Sequence, residues 1–188
     1  MGNREDLLAG ARKVIMERGV AKATARDIAA AAGVSLAAIG YHFGSKERLV
    51  TEALADALGN AIGDAMESLI RDGAGEQPLT SFARMWDAMP TVFADNREAM
   101  LASLENVVRI VRSPEARAQL GDQLPEVYTD LAAHLREAHP ELDAVQADSI
   151  ARLMFSLVQG LSLMWLLNPA AMPSGDQLAV AVRALAGS

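Results

Sequence analysis

Apolar residues recur at three- and four-residue steps along nearly the whole chain, the period of a helix with one buried face. Leu7, Leu8, Ala11, Val14 and Ile15 make the first such stripe, and Gly19 is placed to stop it. Thr24 then precedes Ala25 to Ala32, with Asp27 three positions on, a capping-box-like start. Gly33 ends that short helix, and Ser35 is placed to cap another that runs through about Phe43. From Lys46 to about Arg71 the stripe Val50, Ala53, Leu54, Ala57, Ala61, Ile62, Ala65, Leu69 is unbroken. At 1.5 Å per residue this predicts a helix roughly 40 Å long.

Gly73 to Pro78 reads as a loop. Beyond it Phe82, Met85, Trp86, Met89 and Phe93 share a face, with Pro90 expected to kink or end the helix. Met100, Leu101, Leu104, Val107, Val108 and Val111 form another face, closed by Ser113-Pro114. A third holds Leu120, Leu124, Val127, Tyr128, Leu131 and Leu135, with interruptions expected near Gly121 and Pro125. After Pro140 a long helix should run to Asn168-Pro169, apolar nearly all round from Leu153 onward. A last one, from about Asp176, presents Leu178, Ala181, Val182 and Leu185. Alanine makes up about a fifth of the chain and β-branched runs are scarce. The expected fold is all-α, with about nine helices.

At 188 residues the chain suffices for one substantial core plus a small module. With no cysteine, a disulfide scaffold, thiolate zinc sites and a cysteine nucleophile are excluded. The N-terminus shows no apolar export segment, and Leu153 to Leu167 is shorter than the roughly 17–25 residues of a spanning helix. The expected location is the cytoplasm, with no membrane partner. The net charge of −7 hides an asymmetry: residues 1–48 carry +3 and residues 49–188 carry −10. All three lysines, Lys13, Lys22 and Lys46, lie in the first part. A small basic module on an acidic body is one arrangement for contacting nucleic acid, because local potential matters more than the total. The acidic body by itself also serves solubility.

The three short helices within residues 5–43 include a pair joined by Gly33-Val34-Ser35, which is helix-turn-helix spacing. Ile28, Ala29, Ala32, Val34 and Ile39 are placed to pack that pair, leaving the third helix forward for DNA. The residues themselves carry more. Leu7-Leu8-Ala9-Gly10-Ala11, Glu17-Arg18-Gly19, Thr24-Ala25-Arg26-Asp27-Ile28-Ala29, Ala32-Gly33-Val34-Ser35 and Tyr41-His42-Phe43-Gly44-Ser45-Lys46-Glu47-Arg48-Leu49 together resemble the DNA-binding domain of the TetR (tetracycline-repressor) family. The resemblance covers about residues 5–50 in register and departs at Gly40, where an aromatic is common, and at Ile15 or Met16. It implies a dimeric all-helical transcription regulator, usually a repressor, released from DNA by a small ligand in its C-terminal domain. Residues 1–48 would be the helix-turn-helix domain and 49–188 the ligand-binding and dimerisation domain.

On that reading the partner is a double-stranded, palindromic DNA operator. Thr24, at a helix N-terminus, offers a hydroxyl and free N–H groups to a phosphate, or serves only as a cap. Lys46 and Tyr41 match the family's phosphate-contacting residues, although Tyr41 also suits a core, and Arg26 is within reach of a groove or phosphate. For base reading the third helix offers Ser35, Leu36, Ala37, Gly40 and His42, with no Arg, Asn or Gln for a bidentate contact. Apolar contacts to thymine methyls and DNA shape should therefore carry much of the specificity. So sparse a helix also suits an interaction module that no longer binds DNA; Thr24, Tyr41 and Lys46 argue for DNA.

In the body, Trp86, Met89, Phe93, Met100, Phe155 and Trp165 are large, adaptable side chains of the kind that line apolar pockets and equally fill cores. The resemblance implies a pocket for a small, largely apolar effector, with Trp86, Met89, Phe93, Met100, Tyr128, Phe155 and Gln159 as candidate lining. Glu105, Asn106 and Arg109 are further polar candidates. The last two helices correspond to the family's dimer-forming pair, giving Met154, Val158, Leu161, Leu178, Val182 and Leu185 as candidates for a homodimer interface. Ligand binding would then tilt the Lys46–Arg71 helix and change the spacing of the two reading helices. An enzyme is disfavoured: His42, His134 and His139 form no ligand spacing, and no phosphate loop or nucleophile elbow occurs. His134 and His139 read as solvated. No catalytic residue, metal or cofactor is expected.

Overall fold

The computed structural model describes residues 3–187, with the side chains of 58–60, 115, 119, 120 and 123 outside the described set, Leu120 of the third stripe among them. The described residues form nine α-helices, one 3-10 turn and no strand. In order these are α1 (Asn3–Arg18), α2 (Ala25–Ala32), α3 (Ala37–Phe43), α4 (Lys46–Asp72), α5 (Pro78–Asp95), α6 (Arg97–Arg112), α7 (Pro114–Ala138), α8 (Ala144–Leu167), the turn Pro169–Ala171, and α9 (Gly175–Ala186). They group into two units. One comprises residues up to 61 with 96–119, and the other 62–95 with 120 onward. A cut at residue 48 thus falls inside α4, and α6 groups with the N-terminal helices because it packs on α1.

In the first unit Leu7, Ile15, Ile28, Phe43, Leu49 and Val50 fill one core that joins α1, α2, α3 and the start of α4. The sequence stops α2 as expected: Gly33 adopts φ 68°, a left-handed turn open to glycine, and its N–H returns to the Ala29 and Ala30 carbonyls. The start of α3 differs from expectation. Leu36 rather than Ser35 immediately precedes it and makes no side-chain cap; the backbone closes the turn, Ala38 N–H to the Ser35 carbonyl at 3.0 Å. Gly10 sets the approach of α1 to α2, since a Cβ there would lie 2.9 Å from Ala32 Cβ and from Ala32 N.

In the second unit α5 packs on α8 and α9. Pro90 does not end α5, nor Pro125 α7; both helices run through. A proline removes one internal hydrogen bond, and around Pro90 the fully buried Met89 and Phe93 hold the helix in place. Capping boxes start the last two helices, Asp143 with Gln146 for α8 and Ser174 with Gln177 for α9. Gly175 brings α9 against α5: its N–H donates to Asp87 Oδ1 at 2.7 Å, and a Cβ would sit 1.8 Å from the Ala83 carbonyl oxygen. The full α8 is long and apolar enough by length and composition to cross a membrane, unlike the shorter stretch read from Leu153. Only 22% of its most apolar window is buried within the chain.

Candidate DNA-reading surface and effector cavity

The short α3 divides cleanly between core and surface. Ala38, Ile39 and Phe43 are buried, while Ser35, Leu36, Ala37, Gly40 and Tyr41 are exposed. Positions 36, 37, 40 and 41 share one helical face, related by steps of three and four residues. Tyr41 is 86% exposed, which removes the core reading of its ring, and its edge meets the half-buried His42 at 4.9 Å between centroids. At Gly40 a Cβ would meet nothing within 4 Å, so the missing aromatic leaves this face unobstructed rather than a hole in the core.

At the start of α2 the Thr24 hydroxyl accepts the Asp27 N–H at 3.1 Å and donates to Asp27 Oδ2 at 2.6 Å. That donated bond, with the Arg18 guanidinium 3.1 Å away, holds the Asp27 carboxyl below its usual range. Thr24 is therefore a working N-cap, with the adjoining N–H groups at an exposed helix end. Arg26 stands exposed on the same helix. Lys46 opens α4, its Nζ donating to the Ala23 carbonyl at 3.3 Å and lying 3.7 Å from Glu47. The ammonium is thus tethered to the residue before Thr24, and the cap of α2 and the first residue of α4 lie together.

Asn106 and Arg109, the further polar candidates, take part in a contact between two helices. Arg109 donates to the Thr51 hydroxyl at 2.9 Å, to the Glu47 carbonyl at 3.1 Å and to Asn106 Oδ1, fastening α6 to the start of α4. Partial burial of the guanidinium lowers its pKa, opposed by Glu47. Glu105 is exposed.

The second unit contains a cavity of about 190 Å³. Ile70 of α4, Leu79, Phe82 and Met85 of α5, and Leu135 of α7 form part of its wall; Ile150, Leu153 and Met154 of α8 and Val182 of α9 are also in its lining, and Leu153 is partly exposed. The polar side chains in the lining are Ser81 and His139. None of the seven candidate pocket residues lines it. Trp86, Met89 and Phe93 are fully buried core, Phe93 packing 6.2 Å from the Trp165 ring. Met100 is buried in the first unit. Tyr128 meets Phe155 edge-on at 5.4 Å with Arg152 over its face, and Gln159 is exposed.

His139 is a correction to the sequence reading: it is 2% exposed, not solvated. The chain turns just after α7, with His139 N–H on the Leu135 carbonyl at 2.8 Å, and folds the imidazole inward. Its Nδ1 is buried without a hydrogen-bond partner, and Glu141 Oε1 lies 3.6 Å away, beyond reach. His134 remains partly exposed, 3.8 Å from Glu67. Among the described residues no group of His, Asp and Glu is arranged to hold a metal.

Of the interface candidates, Met154, Val158 and Leu161 are buried within the chain, Leu178 and Val182 are half-buried, and Leu185 is 90% exposed. Exposed apolar side chains remain on both helices, Leu163, Met164 and Leu167 on α8 and Val180 and Leu185 on α9. Ser156 and Gly160 continue the α8 face, and a Cβ at Gly160 would meet nothing within 4 Å.

A compact helix-turn-helix with an exposed reading helix, followed by a helical body, defines a class of DNA-binding regulators. Residues 7–53 match the family model for bacterial regulatory proteins of the tetR family, and residues 78–188 match that for the C-terminal part of BetI-type transcriptional repressors. The chain belongs to the TetR family of helix-turn-helix transcription regulators. It is 30% identical over 158 residues to the transcriptional regulator BetI of Agrobacterium fabrum, covering 84% of this chain and 74% of that one. With the nicotine-responsive transcriptional repressor HdnoR of Paenarthrobacter nicotinovorans it shares 27% over 172 residues, 88% and 84% of the two chains. The fold matches the crystal structure of the multidrug binding protein EbrR complexed with imidazole, TM-score 0.69 at 18% identity over 97% and 94% of the chains.

Proposed function

We propose that this protein is a ligand-released repressor that binds a palindromic operator as a homodimer in the cytoplasm. Thr24, Arg26, Tyr41 and Lys46 contact phosphates, and Ser35, Leu36, Ala37 and His42 face the base edges, where methyl contacts and groove shape supply the specificity. Two such heads must stand about 34–36 Å apart to read half-sites one turn apart, which requires two chains. The exposed apolar side chains of α8 and α9 are the surface proposed to join them. A sedimentation experiment showing only monomer at micromolar concentration would contradict this part.

The observation that carries ligand release is the apolar cavity, because its lining includes Ile70 on the helix that begins at Lys46. A small, largely apolar effector filling the cavity would move α4 and so change the spacing of the two heads. Only a ligand with different affinity for the two states can drive that change. The nicotine-responsive relative supports control by a small molecule. The test is to challenge the protein–operator complex with apolar compounds shown independently to bind the protein. Release of DNA by a bound compound is expected; occupancy of the cavity with unchanged operator affinity would reject the mechanism.

A further inference from the structure

The cavity combines three properties that together restrict what it holds. Its volume, about 190 Å³, is slightly above the roughly 150 Å³ of an apolar cavity that takes one benzene ring. Its lining contains no Lys, Arg, Asp or Glu, so an ionised ligand would be buried without a counter-charge. Against this apolar wall stands His139, 2% exposed, whose Nδ1 makes no hydrogen bond and has Glu141 Oε1 3.6 Å away. A buried polar group left unmade is costly, and native interiors retain one where something else completes it. The nearby buried Ser81 adds a second polar side chain to the same lining.

We infer that the cavity selects a neutral, one-ring aromatic molecule bearing a single hydroxyl, with His139 as its hydrogen-bonding anchor. The phenol class fits all three properties: one ring fills the volume, the molecule is uncharged, and its hydroxyl both donates and accepts. This rests on the reading of the cavity as the effector site. It goes further by assigning the polar half of recognition to His139.

The probes are p-cresol and toluene, which differ by the hydroxyl alone. Without a polar partner in the wall, the cost of stripping water from that hydroxyl makes p-cresol the weaker ligand by tenfold or more. With His139 in place, calorimetric titration of the full-length protein is expected to give p-cresol at least the affinity of toluene. In His139→Phe, which leaves Ser81 as the polar side chain of the lining, the p-cresol to toluene affinity ratio should fall at least tenfold from its wild-type value, while His139→Gln, which keeps a donor and an acceptor, should restore part of the preference. Circular dichroism checks that each variant is folded; should His139→Phe not fold, the wild-type and His139→Gln ratios alone decide. Toluene binding tenfold tighter than p-cresol to the wild-type protein would overturn the anchor and leave the cavity a ligand site. Binding of neither compound at millimolar concentration would overturn the inference together with the cavity reading. Binding of p-cresol without any effect on operator affinity would uphold the anchor and reject the release mechanism alone.

Discussion

Around α2 and α3 the polar groups offered to a partner lie at the surface and are held by neighbours: Thr24 by Asp27, Lys46 by the Ala23 carbonyl. In the body the arrangement is reversed. There His139 is buried in a mostly apolar cavity wall and its Nδ1 makes no hydrogen bond, with Glu141 Oε1 3.6 Å away. The head meets a target of fixed shape and charge, so its contacts can be set in advance on a rigid core. The body meets a small molecule that must leave water, so what it needs is volume and a polar group awaiting completion.

The comparison can be broken most forcefully at two glycines. Gly175→Ala pushes a methyl into the backbone of α5 and should destabilise the body by about 3 kcal/mol or more. Gly10→Ala presses on the backbone of α2 in the head and should cost about 1–2 kcal/mol, with DNA affinity falling as α2 shifts. Urea unfolding followed by circular dichroism measures both, and a neutral Gly175→Ala would mean that α9 is not fixed against α5.

Lys46→Ala sharpens the head's role. Binding to all DNA sequences should weaken, and the slope of log affinity against log salt should shrink by about 1 for each phosphate no longer neutralised. An unchanged slope removes Lys46 from the phosphate-binding set. The smallest effect is acid-side. Because the folded protein depresses the Asp27 pKa below its ordinary 3.8, chiefly through the Thr24 hydroxyl, its stabilising effect is present above that value and is lost as pH falls through the folded pKa. In Thr24→Ala, NMR titration should find Asp27 returned towards 3.8; an unshifted carboxyl would show that the hydroxyl is not the cause.

The head was legible because local chemistry determines it. A left-handed residue is required at Gly33, a capping oxygen at Thr24, and a stripe of Ile28, Ala29 and Ile39 faces the core. The body was legible only in outline. Pro90 and Pro125 read locally as breaks, yet packing carries both helices through them. On α8, apolar nearly all round, the sequence supplies no phase; only the fold separates buried Met154, Val158 and Leu161 from exposed Leu163, Met164 and Leu167. His139 follows the same logic, since whether an imidazole just past a helix end turns inward depends on α5, far earlier in the chain. The one available signal was Pro140, which stops the helix and makes the chain turn at that point.

The most direct test of operator recognition is fluorescence anisotropy of DNA from upstream of this gene and its neighbours, titrated with protein across a range of salt and competitor DNA. Saturable, salt-sensitive binding to one palindromic segment is the expected result. Weak binding that is indifferent to sequence, on every segment tried, would contradict it.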